Sequence, residues 1–324
     1  MFRLCLAAAL VVAVASLPVK DQEPALNYKI IETINSNPNS TWKAGVNENF
    51  ANLNIESVKR LMGVTGPKYE LKKKRVTFDG DLPTNFDSRT NWPGCIGPIL
   101  DQADCGSCWA FGAAETVSDR LCISQSAKGN NATFLQLAPL DLVSCDSGFL
   151  KPNDGCQGGQ PGAALDYAKS TGLVTEKCLP YLKSEGGPIP TCTDEPCLDF
   201  VSTPKCHKSC ADGSSFEGDK HKLSDVYGVE DIASEIAKNG PVEAAFTVYE
   251  DFVHYKSGVY KHTTGQALGG HAIKIIGFGE ENGDKYWLVQ NSWTTKWGDN
   301  GLFKILRGTD ECGIEDGAVT GTFQ

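Results

Sequence analysis

Apolar positions recur with two different periods along this chain. Ile30, Ile31 and Ile34, and later Ile55, Val58, Leu61 and Met62, form short helical stripes in residues 17–81, a stretch with few aromatics and no cysteine. A longer stripe of Ala110, Ala113, Ala114, Val117 and Leu121 predicts a helix over 108–123, with Ser107 at the N-cap position. In the last hundred residues the apolar runs are short and strand-like, at 242–249, 272–278, 286–290 and 302–306, with turn residues between them. Residues 145–213 are rich in Cys, Pro and Gly and read as loops stapled by disulfides. Helices early and strands late predict an α+β body of two lobes, with a site in the cleft between them.

The N-terminus has a different pattern. Arg3 precedes an apolar run from Leu4 to Ala15, and Ala13-Val14-Ala15 has the small-x-small form of a cleavage site, so residues 1–16 read as a secretory signal peptide. No segment is long enough for a membrane anchor. Thirteen cysteines, all but Cys5 at or beyond position 95, fit an oxidising compartment. The sequons at Asn39 and Asn131 fit the same route, and Asn131 is taken as a glycosylation site.

Composition and charge narrow the function. The 324 residues are 40% hydrophobic and 22% charged, which excludes whole-chain disorder, and the net charge of -10 argues against a nucleic-acid partner. The charge is uneven. Residues 1–81 carry 11 Lys+Arg against 8 Asp+Glu, a net of +3, leaving 19 against 32, a net of -13, for 82–324. Lys72-Lys73-Lys74-Arg75 then reads as an exposed processing region between a removable inhibitory prosegment, 17–81, and a body, 82–324, rather than as a solvated linker.

The sharpest chemical feature is Gln102-Ala103-Asp104-Cys105-Gly106-Ser107-Cys108-Trp109. Its two cysteines are open to three readings: a redox pair, half of a zinc site, or a nucleophile beside a structural cysteine. The redox reading lacks a strand-helix-strand context and the zinc reading lacks a second ligand pair, so the third fits best. Cys108 would stand in the first turn of a helix, where free amides and the helix dipole favour a thiolate. Of five histidines, His271 differs from the rest by lying in Gly269-Gly270-His271-Ala272 where a strand begins. Asn291, in Gln290-Asn291-Ser292-Trp293, could orient its ring.

These motifs, with Cys156-Gln157-Gly158-Gly159, resemble those of the papain family of cysteine proteases, and within it the cathepsin B group. Asn239-Gly240-Pro241-Val242-Glu243, Tyr255-Lys256-Ser257-Gly258-Val259-Tyr260 and the front-section motifs Trp42-Lys43-Ala44-Gly45 and Lys59-Arg60-Leu61 extend the likeness. His271 follows Cys108 by 163 residues, beyond the roughly 130–150 of papain-type enzymes, and the surplus falls near 178–222, where the cathepsin B group carries an insertion.

The resemblance implies a papain-like two-lobe fold, a helical left lobe facing a β-rich right lobe, and peptide-bond hydrolysis through a thioester with no cofactor and no metal. Cys108 would be the nucleophile and His271 the proton carrier, a thiolate–imidazolium pair persisting into mild acid. Asn291 would orient His271 under the Trp293 ring, and Gln102 with the Cys108 amide would hold the oxyanion. Gly158 and Gly159 would admit a substrate backbone. Gln160, Pro161, Ala245, Ala272 and Gly317 would line the subsite for the second residue before the cut. An uncharged Gly317 predicts apolar selection there, with Glu315 or Asp316 able to reach in. The implied disulfides are Cys95–Cys122, Cys105–Cys156, Cys145–Cys206, Cys178–Cys210 and Cys192–Cys197, with Cys312 a buried free thiol.

Peptide and protein substrates, the chain's own prosegment and cystatin-type inhibitors are the expected partners, in an acidic lysosome-like vesicle or after secretion. The loop Cys192-Thr193-Asp194-Glu195-Pro196-Cys197 lacks the paired histidines that serve exopeptidase action in the cathepsin B group, so endopeptidase action is expected. The alternatives are retained dipeptidyl carboxypeptidase activity, through 198–204 and His207 or Lys205, and a catalytically silent secreted binding protein.

Overall fold

The computed structural model describes residues 23–129, 132–148, 151–181 and 202–324. The signal-peptide reading, Asn131 and the Cys192–Cys197 pair fall outside these residues. The helices are α1 (Tyr28–Ser36), α2 (Ile55–Arg60), α3 (Ser88–Asn91), α4 (Cys108–Ala127), α5 (Pro139–Cys145), α6 (Pro161–Ser170) and α7 (Ile232–Asn239). The strands are β1 (Trp42–Ala44), β2 (Lys73–Lys74), β3 (Phe86–Asp87), β4 (Asp225–Val229), β5 (Val242–Tyr249), β6 (Tyr255–Tyr260), β7 (Ala267–Glu281), β8 (Asp284–Gln290), β9 (Leu302–Leu306) and β10 (Val319–Thr322). The fold is α+β.

The strands join in the order β1-β6-β9-β8-β7-β5-β10-β4-β2, with β3 paired to β7. Both outer strands, β1 and β2, come from the segment ahead of residue 82. β1 runs antiparallel to β6, Trp42 opposite Gly258, and β2 runs parallel to β4, Lys73 opposite Gly228. The front section therefore covers both edges of the body's sheet. It also shares the body's core. Ile30, Ile34, Trp42, Phe50, Val58, Leu61 and Met62 pack in one cluster with Phe246, Phe252, Tyr255, Trp293 and Phe303. At about 25 cal/mol per Å² of apolar surface, such burial is what holds a short segment on a larger body.

The left lobe forms a second core around α4, α5 and α6. The helix read from the alanine stripe is present as α4, but it is buried on every face between Cys108 and Ile123. Its charged residues Glu115, Asp119 and Arg120 meet partners of the right lobe. Asp119 accepts from Lys274 Nζ at 2.7 Å, and Arg120 Nη2 meets Glu235 at 2.8 Å, all with almost no exposure. Sequence periodicity cannot register this, because the helix lies between two layers rather than on a surface.

The loop reading of 145–213 is corrected by α6. Pro161 opens it at the first turn, where a missing N–H costs nothing, and Ala163, Ala164, Leu165 and Ala168 are buried. Among the described residues, disulfides join Cys95–Cys122, Cys105–Cys156, Cys145–Cys206 and Cys178–Cys210. The Asp219 carboxylate converges on Cys178 and Cys210, but both sulfurs are spent in the disulfide and offer a metal no thiolate. Cys312 is unpaired, yet partly exposed rather than buried. It sits in a short turn with φ 55° beside Glu311.

Candidate active site

The Cys105–Cys156 disulfide and the Gly106 amide on the Cys156 carbonyl (3.0 Å) pin the turn that leads into α4. Cys108 follows in the first helical turn. Across the cleft, β7 presents His271, and the chain leaving β8 presents Asn291. His271 Nε2 lies 2.8 Å from Asn291 Oδ1. A carbonyl oxygen only accepts, so Nε2 carries the hydrogen and Nδ1 is left as the nitrogen that can take a proton. The Trp293 ring covers the imidazole at 4.7 Å between centroids, and Phe246 flanks it at 6.1 Å.

Gln102 is aimed by its neighbours. Its Oε1 accepts from Ser292 Oγ at 2.8 Å, so Nε2 faces the cleft, where it donates to the carbonyls of Leu61 (3.0 Å) and Cys105 (2.9 Å). Ala103, the residue after it, takes φ 51°, a left-handed conformation better suited to glycine.

Residues 61–65 run from the end of α2 through the cleft, with Val64 bridged to Gly159 and to Gly270. The Gly63 amide donates to Cys108 Sγ at 3.3 Å, and the Ala272 amide does so at the same distance. Gly63's carbonyl accepts from the Gly159 amide (2.8 Å), Val64's amide donates to Gly270 (2.9 Å) and Thr65's to Gly159 (3.4 Å). The thiol thus meets an N–H rather than a carbonyl carbon. The two glycines of the wall differ in use. A Cβ on Gly158 would stand 2.9 Å from the Gly63 carbonyl oxygen, whereas one on Gly159 would strike Trp109 and Asn153.

This lid of backbone changes the electrostatics. Cys108 and His271 are both fully buried. Burial pushes the Cys108 thiol up to about 12, and the Ala272 and Gly63 amides offset only part of that. Burial also pushes His271 down to about 4, against the raising effect of Asn291. Both shifts favour the neutral forms. The closed form thus disfavours a thiolate–imidazolium pair, because the segment over it excludes the water that would support two charges.

A cavity of about 520 Å³ opens at Val64, one residue beyond Gly63, lined by Gln160, Pro161, Ala245 and Gly317 together with Asp316. Ala272 is not part of its lining; it is buried, with its amide on the thiol. Gly317 supplies no charge, but Lys68 passes over it and pairs with Asp316 at 2.9 Å, so the cavity does hold an acid. Glu315 points elsewhere, accepting from Trp287 Nε1 at 2.9 Å.

Sequence reasoning missed the anchors of the front section. Gln160 Nε2 donates to the Thr65 carbonyl (2.5 Å), Tyr69 OH to Asp166 (2.5 Å) and Asn49 Nδ2 to the Trp293 carbonyl (3.2 Å). It also missed Lys274, which pairs with Asp119 at 2.7 Å and Glu115 at 3.6 Å beneath the site, beside a Glu243 whose carboxylate has no partner.

Residues 82–322 match the family model described as papain family cysteine protease, and residues 26–68 match that of the peptidase family C1 propeptide. The chain belongs to the papain family of cysteine proteases. It is 45% identical over 293 residues to cathepsin B of Dictyostelium discoideum, covering 87% of this chain and 88% of that one. It is 44% identical to a cathepsin B-like cysteine proteinase of Schistosoma japonicum, covering 91% and 90%. Its fold is similar to a solved proCathepsin B of Trypanosoma congolense, with TM-score 0.80 and 36% identity over 93% of this chain and 99% of that one. The fold of procathepsin L 3 of Tenebrio molitor is also similar, with TM-score 0.71 at 21% identity over 91% and 88%. The chain is thus a cathepsin B-like cysteine peptidase made with its propeptide, and the papain-like two-lobe expectation holds.

Proposed function

We propose that residues 17–81 are removed, by cleavage near residues 75–82, to release a body (82–324) that acts mainly as an endopeptidase. In that body Cys108 attacks a peptide carbonyl. His271 passes its proton to the leaving amine and then activates water against the thioester, while Asn291 keeps the imidazole aligned. Gln102 Nε2 and the Cys108 amide hold the oxyanion. The observation that carries the reading is Gln102 itself: its amide already grips a peptide carbonyl, that of Leu61, two residues before the Gly63 amide that meets the Cys108 sulfur.

The endopeptidase reading rests on the sequence of 192–197, which offers Asp194 and Glu195 where a terminal carboxylate would need cations. His207, the alternative anchor, is exposed and adjoins Cys206, which is tied to Cys145 at the end of α5. Secretory-route delivery to an acidic vesicle or the exterior fits the N-terminal pattern and the disulfides.

A thiol-reactive covalent peptide inhibitor tests the assignment. Acid-matured protein should take up one label, at Cys108; no uptake there overturns it. A peptide with a free C-terminal carboxylate, assayed beside its amide, tests the mode. Similar rates are expected, and stepwise dipeptide release from the acid alone would make the enzyme an exopeptidase.

A further inference from the structure

The front section does more than cover Cys108. Beyond the thiol it continues along the cavity that holds Asp316 and then adds β2 to the edge of β4. The Gly228 amide donates to the Lys72 carbonyl at 3.1 Å and the Glu230 amide to the Lys74 carbonyl at 3.2 Å. Gly228 and Lys73 both line the cavity, so the cleft and the sheet edge form one continuous track. Among the described residues nothing else pairs with that edge.

The segment on this track is cationic: Lys68, Lys72, Lys73, Lys74 and Arg75 against Glu70 alone. Its contacts are of matching chemistry. Lys68 pairs with Asp316, and Lys74 Nζ stands 4.6 Å from the centre of the Tyr227 ring on β4. Arg75 lies among Glu230, Asp231 and Glu315, with Lys285 and Arg307 also in that hollow. When the segment leaves, it uncovers two unpaired amides, an aromatic face and carboxylates, in line with the catalytic cleft.

We propose that the β4 edge of the matured enzyme is a docking strand for lysine- and arginine-rich extended segments of protein substrates, about ten residues from the scissile bond. The spacing follows from the ten-residue separation of Gly63, at the thiol, from Lys73, on β4. Recognition is by strand addition, with backbone bonds giving affinity and the cations giving selectivity. The inference rests on release of the prosegment as proposed above.

The test uses the acid-matured protein, residues 82–324, and peptides sharing one cleaved core. Each carries, at one end or the other, a ten-residue arm rich in Lys, rich in Glu, or neutral, or a three-residue Lys arm. At low salt the long Lys arm at one end should lower KM roughly tenfold against the neutral arm with kcat unchanged, and high salt should remove most of that gain. The three-residue arm should do little. Glu230→Lys should abolish the gain without altering cleavage of the neutral peptide. Independently of turnover, amide exchange at Gly228 and Glu230 should slow when the long Lys peptide binds protein alkylated at Cys108. A gain equal for short and long arms, no gain, or unprotected Gly228 and Glu230 amides would overturn the proposal. Failure to cleave any peptide, with those amides still protected, would instead count against the protease assignment alone.

Discussion

The amide of Gly63 donates to the sulfur of Cys108 across 3.3 Å. This one contact places a backbone segment over the thiol, and the position tolerates no side chain. A Cβ on residue 63 would stand 2.0 Å from the Gly106 carbonyl oxygen, which is rigid backbone beside a disulfide. Gly63→Val should therefore lift the segment. Purified precursor of this variant should react with a small thiol reagent at neutral pH at least tenfold faster than wild-type precursor. Equal rates would show that Gly63 is not what seals the thiol.

Acid should loosen the same segment through two histidines. His271 is held near 4 by burial, and so is His254, which accepts the Asn27 amide at 3.3 Å where α1 begins. Both docked values lie below the ordinary imidazole value of about 6.5. The docked state thus binds fewer protons than the released state. Its stability is full above about pH 6.5 and is lost as pH falls toward 4. Near pH 5 each histidine should favour release by about tenfold or more. In a Cys108→Ala precursor, release measured against pH should steepen in that window, and His254→Gln should remove roughly one proton from the slope. An unchanged slope would rule His254 out.

Beneath the site, burial and the nearby Glu115 raise Glu243 well above a normal carboxylate, which favours its neutral form. A raised carboxyl value stabilises the fold below the unfolded pKa of about 4.5, and that contribution fades as pH climbs toward the folded value. Glu243→Gln should leave stability near pH 4 almost unchanged and gain relative to wild type as pH rises above that, as read from urea midpoints. Lys274→Ala should instead cost about 3–5 kcal/mol, since it strands Asp119 and Glu115 without their cation.

Asp316 should set how the cavity treats a basic side chain. Its carboxylate is about two-thirds exposed (67%) and already accepts Lys68, which argues for tolerance of Arg alongside apolar residues rather than the apolar selection read from Gly317 alone. Asp316→Asn should lower the Arg-to-Phe ratio of kcat/KM about threefold. A constant ratio would place the discriminating charge elsewhere.

Ala103 should be improvable. Its φ of 51° costs an L-residue about 1 kcal/mol relative to glycine. Ala103→Gly should raise the thermal midpoint by one to a few degrees (roughly) with Gln102 still in place and activity kept. A lower midpoint would mean that chain entropy outweighs the relieved strain.

By itself the sequence determined the chemistry and the outline of the fold. Cys108, His271, Asn291 and Gln102 lie in compact local motifs, and the strands at 242–249 and 302–306 follow alternating or continuous apolar runs whose bounds match β5 and β9. What depended on contacts distant in sequence was not legible. The helix α6 hid in a cysteine- and glycine-rich stretch because its burial comes from packing, not from a strong stripe. The all-round burial of α4 arises from partners more than a hundred residues away, as with Asp119 and Lys274. Only the tertiary structure decided that burial drives Cys108 and His271 toward their neutral forms in the closed form, that Lys68 finds Asp316, and that the front section supplies a strand to each edge of the sheet. Desolvation and edge pairing are properties of surfaces brought together by the fold, and no local pattern of residues encodes them.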